Sequence, residues 1–552
     1  MKKHFLYLIF VALFSCSKTN SGNVAKPSSE TFSLSSIWVN GTNSNDVYYI
    51  NFHPVIKLFF SDKVNHSSIN NFIILVDSAN VNSALDFSYS NNDSTVTIQP
   101  QQVLKPLSKY TLKVFKTLQS QSGGALQAAA AINLITQIDS TPKFPSISDS
   151  ELLDLVQKQT FKYFWDFAHP TSGMARERNT SGDIVTIGGT GFGIMSMIVA
   201  VKRNFISRND AVMRIQKIVS FLKNNCTAYH GTFSHWINGS TGATVPFNSQ
   251  DDGGDIVETS YLMEGLLCVR QYFNASSTEE TTLRNDINTL WNNVDWTWYE
   301  NNQNVLYWLW SNDNGWENNT QVQGWNEALI TYVLAASSNN HAIEKSVYDN
   351  GWARNGAIKN GNTSYGIVLP LGENLGGPLF YEHYSFLGIN PSGLSDAYAD
   401  YALQTKNHSL INHAYCKANP NGYFGYSDTC WGLTASDIQN GGYNVSSPTN
   451  DVGVISPTAA IASLPYTPTE SMNALRFFYY ELGNKLWGNY GFVDAFSLKD
   501  LWFADSYLAI DQGPEIVMIE NYRSGLLWSL FTSCDEVKRG MKRLGFRANY
   551  LN

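Results

Sequence analysis

The fold is decided by residues 251–273, DDGGDIVETSYLMEGLLCVRQYF, where a group of acids and glycines leads into a long apolar segment. From Ile256 onward, apolar residues recur at positions i, i+3, i+4 and i+7, the spacing that lines one face of an α-helix. Segments on both sides have the same spacing: 152–168, 210–225, 326–337, 471–487 and 525–546. This pattern predicts a mainly α-helical domain over residues 149–552.

Long loops rich in Gly, Asn, Trp and Pro separate these helical segments. The region is longer than an ordinary single core, but a ring of paired helices can grow to this size. The pattern therefore predicts an α/α toroid with helix N-termini and long loops on one rim, where a ligand cleft can form. The sequence has no strict short repeat, so a stacked-repeat array is the weaker alternative.

Residues 32–138 have a different pattern, with short β-branched or aromatic segments separated by Asn, Ser, Asp and Gly. The predicted strands are Val47–Phe52, Val55–Phe60, Phe72–Val76, Thr95–Ile98, Tyr110–Phe115 and Ala131–Thr136. HPVIKLFFSDKVN, STVTIQP and LSKYTLKVF resemble a bacterial immunoglobulin-like domain, which implies a small β-sandwich. Residues 139–148, DSTPKFPSIS, carry two prolines and are predicted to be a linker.

The first 31 residues predict export. Lys2 and Lys3 precede an apolar run, Phe5 to Phe14, that is too short to span a bilayer. Leu-Phe-Ser-Cys16 resembles a lipobox, so residues 1–16 are predicted to be a lipoprotein signal peptide ending at lipidated Cys16, and 17–31 a flexible tether. An ordinary secretory signal is the alternative. We expect the protein to be lipid-anchored to the bacterial outer membrane, facing the periplasm or the cell surface.

Composition narrows the range of partners. The net charge is −9 and no basic run is present, which argues against nucleic acid and favours a neutral ligand. Aromatic residues make up 13% of the chain, with 15 Trp and 29 Tyr, a content that suits sugar binding or a large aromatic core. Beyond Cys16, the cysteines show neither C-x-x-C nor zinc-finger spacing. We expect no metal, no cofactor and a monomer.

The acids of residues 251–258 have two interpretations. Asp255 and Glu258 have the spacing of a capping box at a helix N-terminus. Asp251 and the Gly253-Gly254 pair exceed what a cap needs, because glycine lets a backbone approach a ligand closely. Crowded carboxylates also raise each other's pKa, as an acid catalyst requires.

Three other acids are candidates. Glu327, in GWNEAL, is predicted in the first turn of a helix with Trp325 beside it. Asp511, in LAIDQGPE, follows an apolar run and precedes a predicted Gly-Pro turn, and Asp494, in GFVDAF, is a weaker candidate. For the first two, a structural role such as a charge favoured by the helix dipole is the alternative.

Aromatic residues in polar loops are candidates for stacking on sugar rings, among them Trp236 beside His235, Tyr384 and Trp431. Other chemistries lack their motifs, since neither Gly-x-Ser-x-Gly nor His-Glu-x-x-His is present. GGTGFG, at 188–193, predicts a tight turn that enters a helix rather than a nucleotide loop, because no βαβ pattern surrounds it.

Taken together, these motifs resemble a known family. FKYFWDFAHPTSGMARER, IGGTGFGIMSM, HGTFSHWING, DDGGDIVETSYLMEGLL, GWNEALITYVLAASS, GGPLFYEHYSFLG, CWGLTASD, GVISPTAAIASLPYTP, GFVDAF and LAIDQGPEIVMIENYRSGLLW are similar to the glycoamylase-like domain. More narrowly, they resemble bacterial endo-β-1,2-glucanases of glycoside hydrolase family 144. The resemblance covers about residues 150–547.

This resemblance implies an (α/α)6 toroid, action on β-1,2-glucan, sophorooligosaccharide products and anomeric inversion. The family's acidic cleft residues match Asp251, Asp255, Glu258 and Glu327. Our hypothesis is that Glu327 is the general acid and that Asp511 or Asp255 activates water. Inverting enzymes hold their two carboxyls roughly 6.5–9.5 Å apart.

The remaining candidates are assigned to substrate binding: Asp251, Glu258, Trp325, His235, Trp236, Tyr384 and Trp431. The expected partner is a glucan polysaccharide or oligosaccharide, with the membrane contacted only through the lipid. Hydrolysis of another glucan, including an α-glucan, is one alternative. A non-catalytic surface glycan-binding lipoprotein is the other.

Overall fold

A computed structural model describes residues 32–552. The predictions for the signal peptide, for lipidation of Cys16 and for residues 17–31 lie outside the described residues. The described chain forms two compact units, one ending at Gln137 and one beginning at Ile138. No helix between residues 32 and 552 combines the length and the apolar character that crossing a bilayer requires.

The first unit consists of two β-sheets. Its strands are β1 (Leu34–Val39), β2 (Asp46–Ile50), β3 (Ile56–Phe60), β4 (Ile73–Asp77), β5 (Asn82–Ser83), β6 (Leu85–Ser90), β7 (Thr95–Pro100), β8 (Lys109–Val114) and β9 (Ala130–Thr136), with a short helix α1 (Ile69–Phe72) before β4. One sheet has the strand order β1-β3-β7-β6 and the other β2-β9-β8-β4-β5. The β2–β9 pair is parallel.

Alternation of buried and exposed side chains explains how these strands pack. In β3, Ile56, Leu58 and Phe60 are buried while Lys57 is exposed, because successive side chains point to opposite faces of a strand. Leu75 of β4 and Leu112 of β8 belong to the second sheet, and they are buried in the same apolar core as the side chains of β3. Both sheets therefore enclose one core, which is the arrangement of a β-sandwich.

The second unit is helical. Its helices are α2 (Asp149–Trp165), α3 (Ile187–Lys202), α4 (Arg208–Asn224), α5 (Ile256–Tyr272), α6 (Thr278–Asn293), α7 (Leu329–Ser337), α8 (Lys345–Asn350), α9 (Phe380–His383), α10 (Tyr401–Ala418), α11 (Pro457–Ala462), α12 (Pro468–Arg476), α13 (Gly483–Leu486), α14 (Ala509–Ser524), α15 (Leu526–Thr532) and α16 (Asp535–Leu544). The prediction of a helical unit after a β unit is confirmed.

Short strand pairs occupy the loops between these helices. They are β10 (Ile184–Thr186), β11 (Trp236–Asn238), β12 (Thr244–Val245), β13 (Gly254–Asp255), β14 (Leu309–Trp310), β15 (Thr363–Ser364), β16 (Ile367–Val368), β17 (Ala435–Ile438), β18 (Gly442–Val445), β19 (Trp487–Gly488), β20 (Gly491–Phe492), β21 (Phe496–Ser497) and β22 (Trp502–Phe503). Antiparallel pairing joins β10 to β11, β13 to β14 and β17 to β18.

The most buried helices of the second unit form a series in which each packs against the next. Helix α3 contacts α5 and α14, α5 also contacts α7, and α14 also contacts α11. More exposed helices pack outside them: α2 on α3 and α14, α6 on α5, and α16 on α7. Helices α3, α5 and α14 are buried almost all round, as is expected of helices with neighbours on every side.

Two local predictions from the sequence are wrong. GGTGFG is not a turn, because it forms the first two turns of the buried helix α3. The Gly513-Pro514 pair is also helical, since both residues lie inside α14. In both places tertiary packing outweighs the low helix propensity of glycine or proline: a Cβ at Gly513 would lie 2.4 Å from Cβ of Phe192.

We predict that Gly191→Ala destabilises the protein by about 1–3 kcal/mol. A Cβ at this position would lie 2.2 Å from the carbonyl oxygen of Tyr261, which is backbone and cannot move aside. Gly193→Ala on the same helix is the matched control, because its Cβ would meet only the ring of Phe164 at 2.6 Å. Urea unfolding measures the difference, and equal free energies of unfolding for the two variants would contradict the backbone contact.

Candidate active site

The acid-rich segment leads into α5, and Asp255 is the residue that caps the helix. Its Oδ1 accepts hydrogen bonds from the backbone N–H groups of Val257 and Glu258, both at 2.9 Å. The glycines before it serve packing rather than ligand approach. A Cβ at Gly253 would lie 2.2 Å from the carbonyl oxygen of Trp310, and one at Gly254 would lie 2.1 Å from a threonine hydroxyl.

His235 connects two of the acids. Its Nδ1 lies 3.2 Å from Oδ2 of Asp255, and its Nε2 lies 4.0 Å from Oε1 of Glu258. Burial disfavours the imidazolium, but the negative charges of Glu258 and Asp255 outweigh it and raise the pKa of His235 to about 9. His235 is therefore a cation at neutral pH, held between two carboxylates with 26% of its side chain exposed.

Glu258 does not complete the predicted capping box. Its Oε2 instead accepts hydrogen bonds from the backbone N–H of Gly188 at 2.8 Å and from the hydroxyl of Thr186 at 3.4 Å. Both donors lie at the N-terminus of α3, which favours a negative charge. Burial nevertheless raises the pKa of the Glu258 carboxyl, while the His235 charge opposes the rise. This contact joins the N-termini of α3 and α5.

Asp251 lies beside this group and is 7% exposed. Burial and the charge of Asp255 raise the pKa of Asp251 to about 7. Within residues 32–552, its Oδ1 has no hydrogen-bond partner. Asp251, Asp255 and His235 each offer one ligand atom within 4.8 Å of the others, close enough to hold a cation. The imidazolium of His235 already supplies positive charge there.

Glu327 lies in the turn that precedes α7, rather than in its first helical turn as predicted. Ala328 has non-helical φ and ψ, and the helix begins at Leu329. Asn326 Oδ1 accepts the backbone N–H of Ala328 at 3.0 Å and fixes this turn. The Glu327 side chain is partly exposed. Burial raises the pKa of its carboxyl to about 7, and the charges of Glu258 and Asp255 add to the rise.

Neighbouring groups confirm that Glu327 belongs with the 251–258 acids. The Tyr261 hydroxyl, from α5, donates to the Glu327 carbonyl oxygen at 3.4 Å, and Ser385 Oγ donates to the same oxygen. Burial raises the pKa of Tyr384, and the charges of Glu327 and Glu258 add to the rise. Acids separated by about seventy residues of sequence thus face the same group of tyrosines, with Glu327 as the partly exposed member.

Asp511 belongs to a second group of acids. It lies in the first turn of α14 and is 5% exposed. Its carboxyl interacts with that of Asp494, which is fully buried. Asp494 Oδ2 accepts the backbone N–H of Asp437 at 2.7 Å. Asp511 and Tyr384 line the same small cavity, and the charge of Asp511 also acts on Tyr384, so Tyr384 is near acids of both groups.

The predicted aromatic residues differ in their access. Trp236 is half-buried in β11, with its ring 4.7 Å from the ring of Phe247. Tyr384 and Trp325 are largely buried but border cavities, and Trp325 lines one of about 270 Å³ with Tyr381. The stacking role predicted for Trp431 is wrong for this structure, because its ring is fully buried and its Nε1 donates to Glu470 O at 3.4 Å.

The sequence reasoning missed several residues that hold the acids in place. Thr186 and Gly188 bind Glu258 from the start of α3, in the segment predicted as a turn. Arg178 binds both carboxylate oxygens of Asp437, at 2.8 and 3.0 Å. Arg178 is the last residue of the motif FKYFWDFAHPTSGMARER. Nothing in the sequence connects it with Asp437.

Family models match parts of both units. Residues 319–535 match the family model described as "Putative glucoamylase", and residues 40–136 match the bacterial Ig-like domain. The exo β-1,2-glucooligosaccharide sophorohydrolase (non-reducing end) of Parabacteroides distasonis is 43% identical over 432 residues, which are 74% of this chain. The chain spans 60% of the length of that relative.

Solved structures are similar to about three quarters of this chain. The crystal structure of a protein from Bacteroides uniformis, also described as a "putative glucoamylase", is 54% identical to this chain, with a TM-score of 0.73. The match covers 74% of this chain and 100% of the Bacteroides chain. The endo-β-1,2-glucanase from Chitinophaga pinensis, in complex with sophorotriose and glucose, is 49% identical, with a TM-score of 0.72. That match covers 73% of this chain and 100% of the glucanase.

The similarity to a sophorohydrolase and to an endo-β-1,2-glucanase gives the class of protein, the helical glycoside hydrolases, and the partly exposed Glu327 carboxyl of raised pKa suits that class. The level of identity and coverage then fixes the family. The chain belongs to the glycoamylase-like family, is similar to glycoside hydrolase family 144, and has an N-terminal immunoglobulin-like domain.

Proposed function

We propose that the protein is an inverting glycoside hydrolase that cleaves β-1,2-glucan and releases sophorooligosaccharides. The observation that carries this proposal is the Glu327 carboxyl, which is partly exposed and has a pKa raised to about 7. Such a group is protonated when a substrate arrives and can still give up its proton. The names of the Parabacteroides and Chitinophaga relatives support the choice of β-1,2-linked glucan.

In this proposal Glu327 protonates the leaving glycosidic oxygen, and Asp511 accepts a proton from the attacking water. Asp255 is the poorer base, because two backbone N–H groups and His235 already occupy its oxygens. Asp251 and Glu258 bind sugar hydroxyls, and the charges of Glu258 and Asp255 help to keep the proton on Glu327. Water and Glu327 approach the anomeric carbon from opposite faces, as inversion requires.

We also propose that the helical unit is an (α/α)6 toroid. Supporting it, the buried helices form two runs of neighbours that share α3: one is α3, α5, α7 and the turn after α9, and the other is α3, α14 and α11. His383 of α9 is linked to Ser463, just after α11, by a hydrogen bond of 3.0 Å. Asp255, Glu327 and Asp511 all lie at helix N-termini of these two runs, consistent with one rim.

The proposal is tested by incubating the full chain with linear β-1,2-glucan, other β-glucans and starch, and measuring new reducing ends and product size. We expect cleavage of the β-1,2-glucan alone, with disaccharide or longer sophorooligosaccharide products. Cleavage of starch instead would establish an α-glucan hydrolase. Binding without any new reducing ends would establish a glycan-binding protein and overturn the proposal.

The raised pKa of Glu327 predicts how the rate depends on pH. A general acid must carry its proton, so kcat/KM for β-1,2-glucan should fall as the pH rises above about 7, by about tenfold per unit. Steady-state rates between pH 5 and 9 check this. An aryl β-sophoroside whose leaving group departs without protonation is the control, and its kcat/KM should not fall above pH 7. If kcat/KM fell at the same pH for both substrates, Glu327 would not be the general acid.

For location, we propose lipid anchoring through Cys16 to the outer membrane. The support is the lipobox-like sequence Leu-Phe-Ser-Cys16 after a short apolar run. Metabolic labelling with a fatty acid should mark the wild-type protein and leave Cys16→Ser unlabelled. Equal labelling of both would rule out this anchor.

A further inference from the structure

The second group of acids contains more carboxyl groups than cations. Asp511 of α14, Asp494 between β20 and β21, and Asp437 of β17 converge there. The guanidinium of Arg178 binds Asp437 through Nη1 and Glu177 through Nε, so its hydrogen bonds go to two other carboxylates. Between residues 32 and 552, no ion pair joins a cationic side chain to Asp494 or Asp511.

Asp494 is held firmly against Asp511. Its backbone N–H donates to Ser506 O at 2.9 Å, and its Oδ2 accepts the Asp437 N–H at 2.7 Å. Ser506 Oγ in turn donates to Asp437 Oδ2 at 2.6 Å, which closes a rigid frame. The second oxygen, Oδ1 of Asp494, and Oδ2 of Asp511 are both buried, and neither has a donor among the described residues. A hydrogen bond between the two carboxyls therefore requires a proton on one of them.

We propose that Asp494 and Asp511 share one proton and act as a single acid–base unit, in which Asp494 is the positioning residue for the water-activating Asp511. Two buried carboxylates in contact cannot both be charged, and one proton between them removes the repulsion. The unit carries one negative charge when substrate arrives. This proposal rests on the proposed function for the role of Asp511, whereas the shared proton itself is independent of any activity.

The chemical step balances with this unit. The attacking water forms a bond from its oxygen to the anomeric carbon and transfers one proton to the unit, which becomes neutral. The glycosidic bond breaks, and its electron pair stays on the leaving oxygen, which takes the proton of Glu327. After release, the unit loses one proton to solvent and Glu327 gains one.

Groups on the surrounding elements determine how the unit titrates. Burial raises the pKa of Asp511 well above its ordinary value, and the charge and hydrogen bond of Asp494 add to this rise. Burial, followed by the charge of Asp437, raises the pKa of Asp494 to about 7. The titratable and charged groups facing the pair are Asp437, Arg178, Tyr443, Tyr384 and His383.

The test is a titration of the carboxyl carbons of 13C-aspartate-labelled full-length protein by NMR, with no substrate present. Loss of one signal in Asp511→Asn and another in Asp494→Asn assigns the pair. In the wild-type protein, each assigned signal should move in two pH steps, because coupled groups share both ionisations. In Asp494→Asn, Asp511 should titrate at lower pH, since the negative charge and the carboxylate hydrogen-bond acceptor that raise its pKa are gone.

Matched variants separate this role from a structural one. Asp494→Glu, which keeps a carboxyl, should restore the two-step titration and much of the activity. Glu515→Gln on the same helix is the control, because Glu515 is fully buried and accepts from Thr160 rather than from the pair. Single-step titration of both signals in the wild-type protein would overturn the proposal. So would an unchanged Asp511 titration in Asp494→Asn. Neither result would alter the outcome of the glucan assay.

Discussion

Glu327→Gln is expected to lower kcat for β-1,2-glucan by about 10²–10⁴-fold while leaving the protein folded, because an amide cannot donate the proton that the leaving oxygen needs. The fold should survive, since the contacts that fix this turn use its backbone: the carbonyl of Glu327 accepts from Ser385 and Tyr261. Reducing-end assays give the rate, and circular dichroism with thermal unfolding checks the fold.

The leaving group provides the sharpest control for this variant. An aryl β-sophoroside that needs no protonation should be hydrolysed by Glu327→Gln at close to the wild-type rate, because the acid is then dispensable. Glu373→Gln is the matched variant, since Glu373 lies in the neighbouring cavity beside Trp325 and Tyr381. If Glu327→Gln retained normal activity on glucan, or lost activity equally on both substrates, Glu327 would not be the acid.

Apolar spacing predicted six of the nine strands of the first unit and about half of the helices of the second, and it missed the long helices α6 and α10. Helices α2, α4 and α5 lie where the period of 3.6 residues placed them, and the predicted strands agree with β2, β3, β4, β7, β8 and β9 to within one or two residues. Strand β6 was missed although its side chains alternate, because LDFSYS contains half polar residues and its buried face is only partly covered. Residues 525–546 were predicted as one helix, but α15 and α16 are separated at Ser533 and Cys534.

Helix α3 shows why local propensity was insufficient. Its glycines disfavour a helix in isolation, yet Gly191 and Gly265 allow α3 and α5 to pack with their backbones in contact. That close approach brings the N–H of Gly188 to Glu258. The stabilisation of α3 comes from contacts with a segment about seventy residues away. A prediction from the residues of one helix alone cannot include such contacts.

The same limit applies to the acids. Helix N-termini and family motifs identified Asp255, Glu258, Glu327 and Asp511 one at a time, because each follows a loop and begins an apolar segment. The pairing of Asp511 with Asp494 depends on the frame of Asp437 and Ser506, which is formed by three separate loops. Carboxylates carry no local pattern that indicates a shared proton, so only the three-dimensional arrangement reveals it.

Asp511→Asn is expected to reduce kcat by about 10²–10⁴-fold, because the attacking water loses its proton acceptor. Protonation of the leaving oxygen by Glu327 is unaffected, so a nucleophile that needs no base should replace the water. Adding azide should therefore restore turnover and yield a glycosyl azide of inverted anomeric configuration. Product analysis by NMR and the rate as a function of azide concentration measure both effects.

Two further variants decide between the candidate bases. Glu515→Gln, one helical turn further along α14, changes a fully buried carboxyl outside the reaction and should show no azide-dependent product. Asp255→Asn keeps an oxygen that can accept the backbone N–H groups of Val257 and Glu258 but weakens the ion pair with His235. It should therefore impair substrate binding more than turnover. If azide rescued Asp255→Asn and not Asp511→Asn, the base would be Asp255, and the pair formed by Asp494 and Asp511 would have no part in activating water.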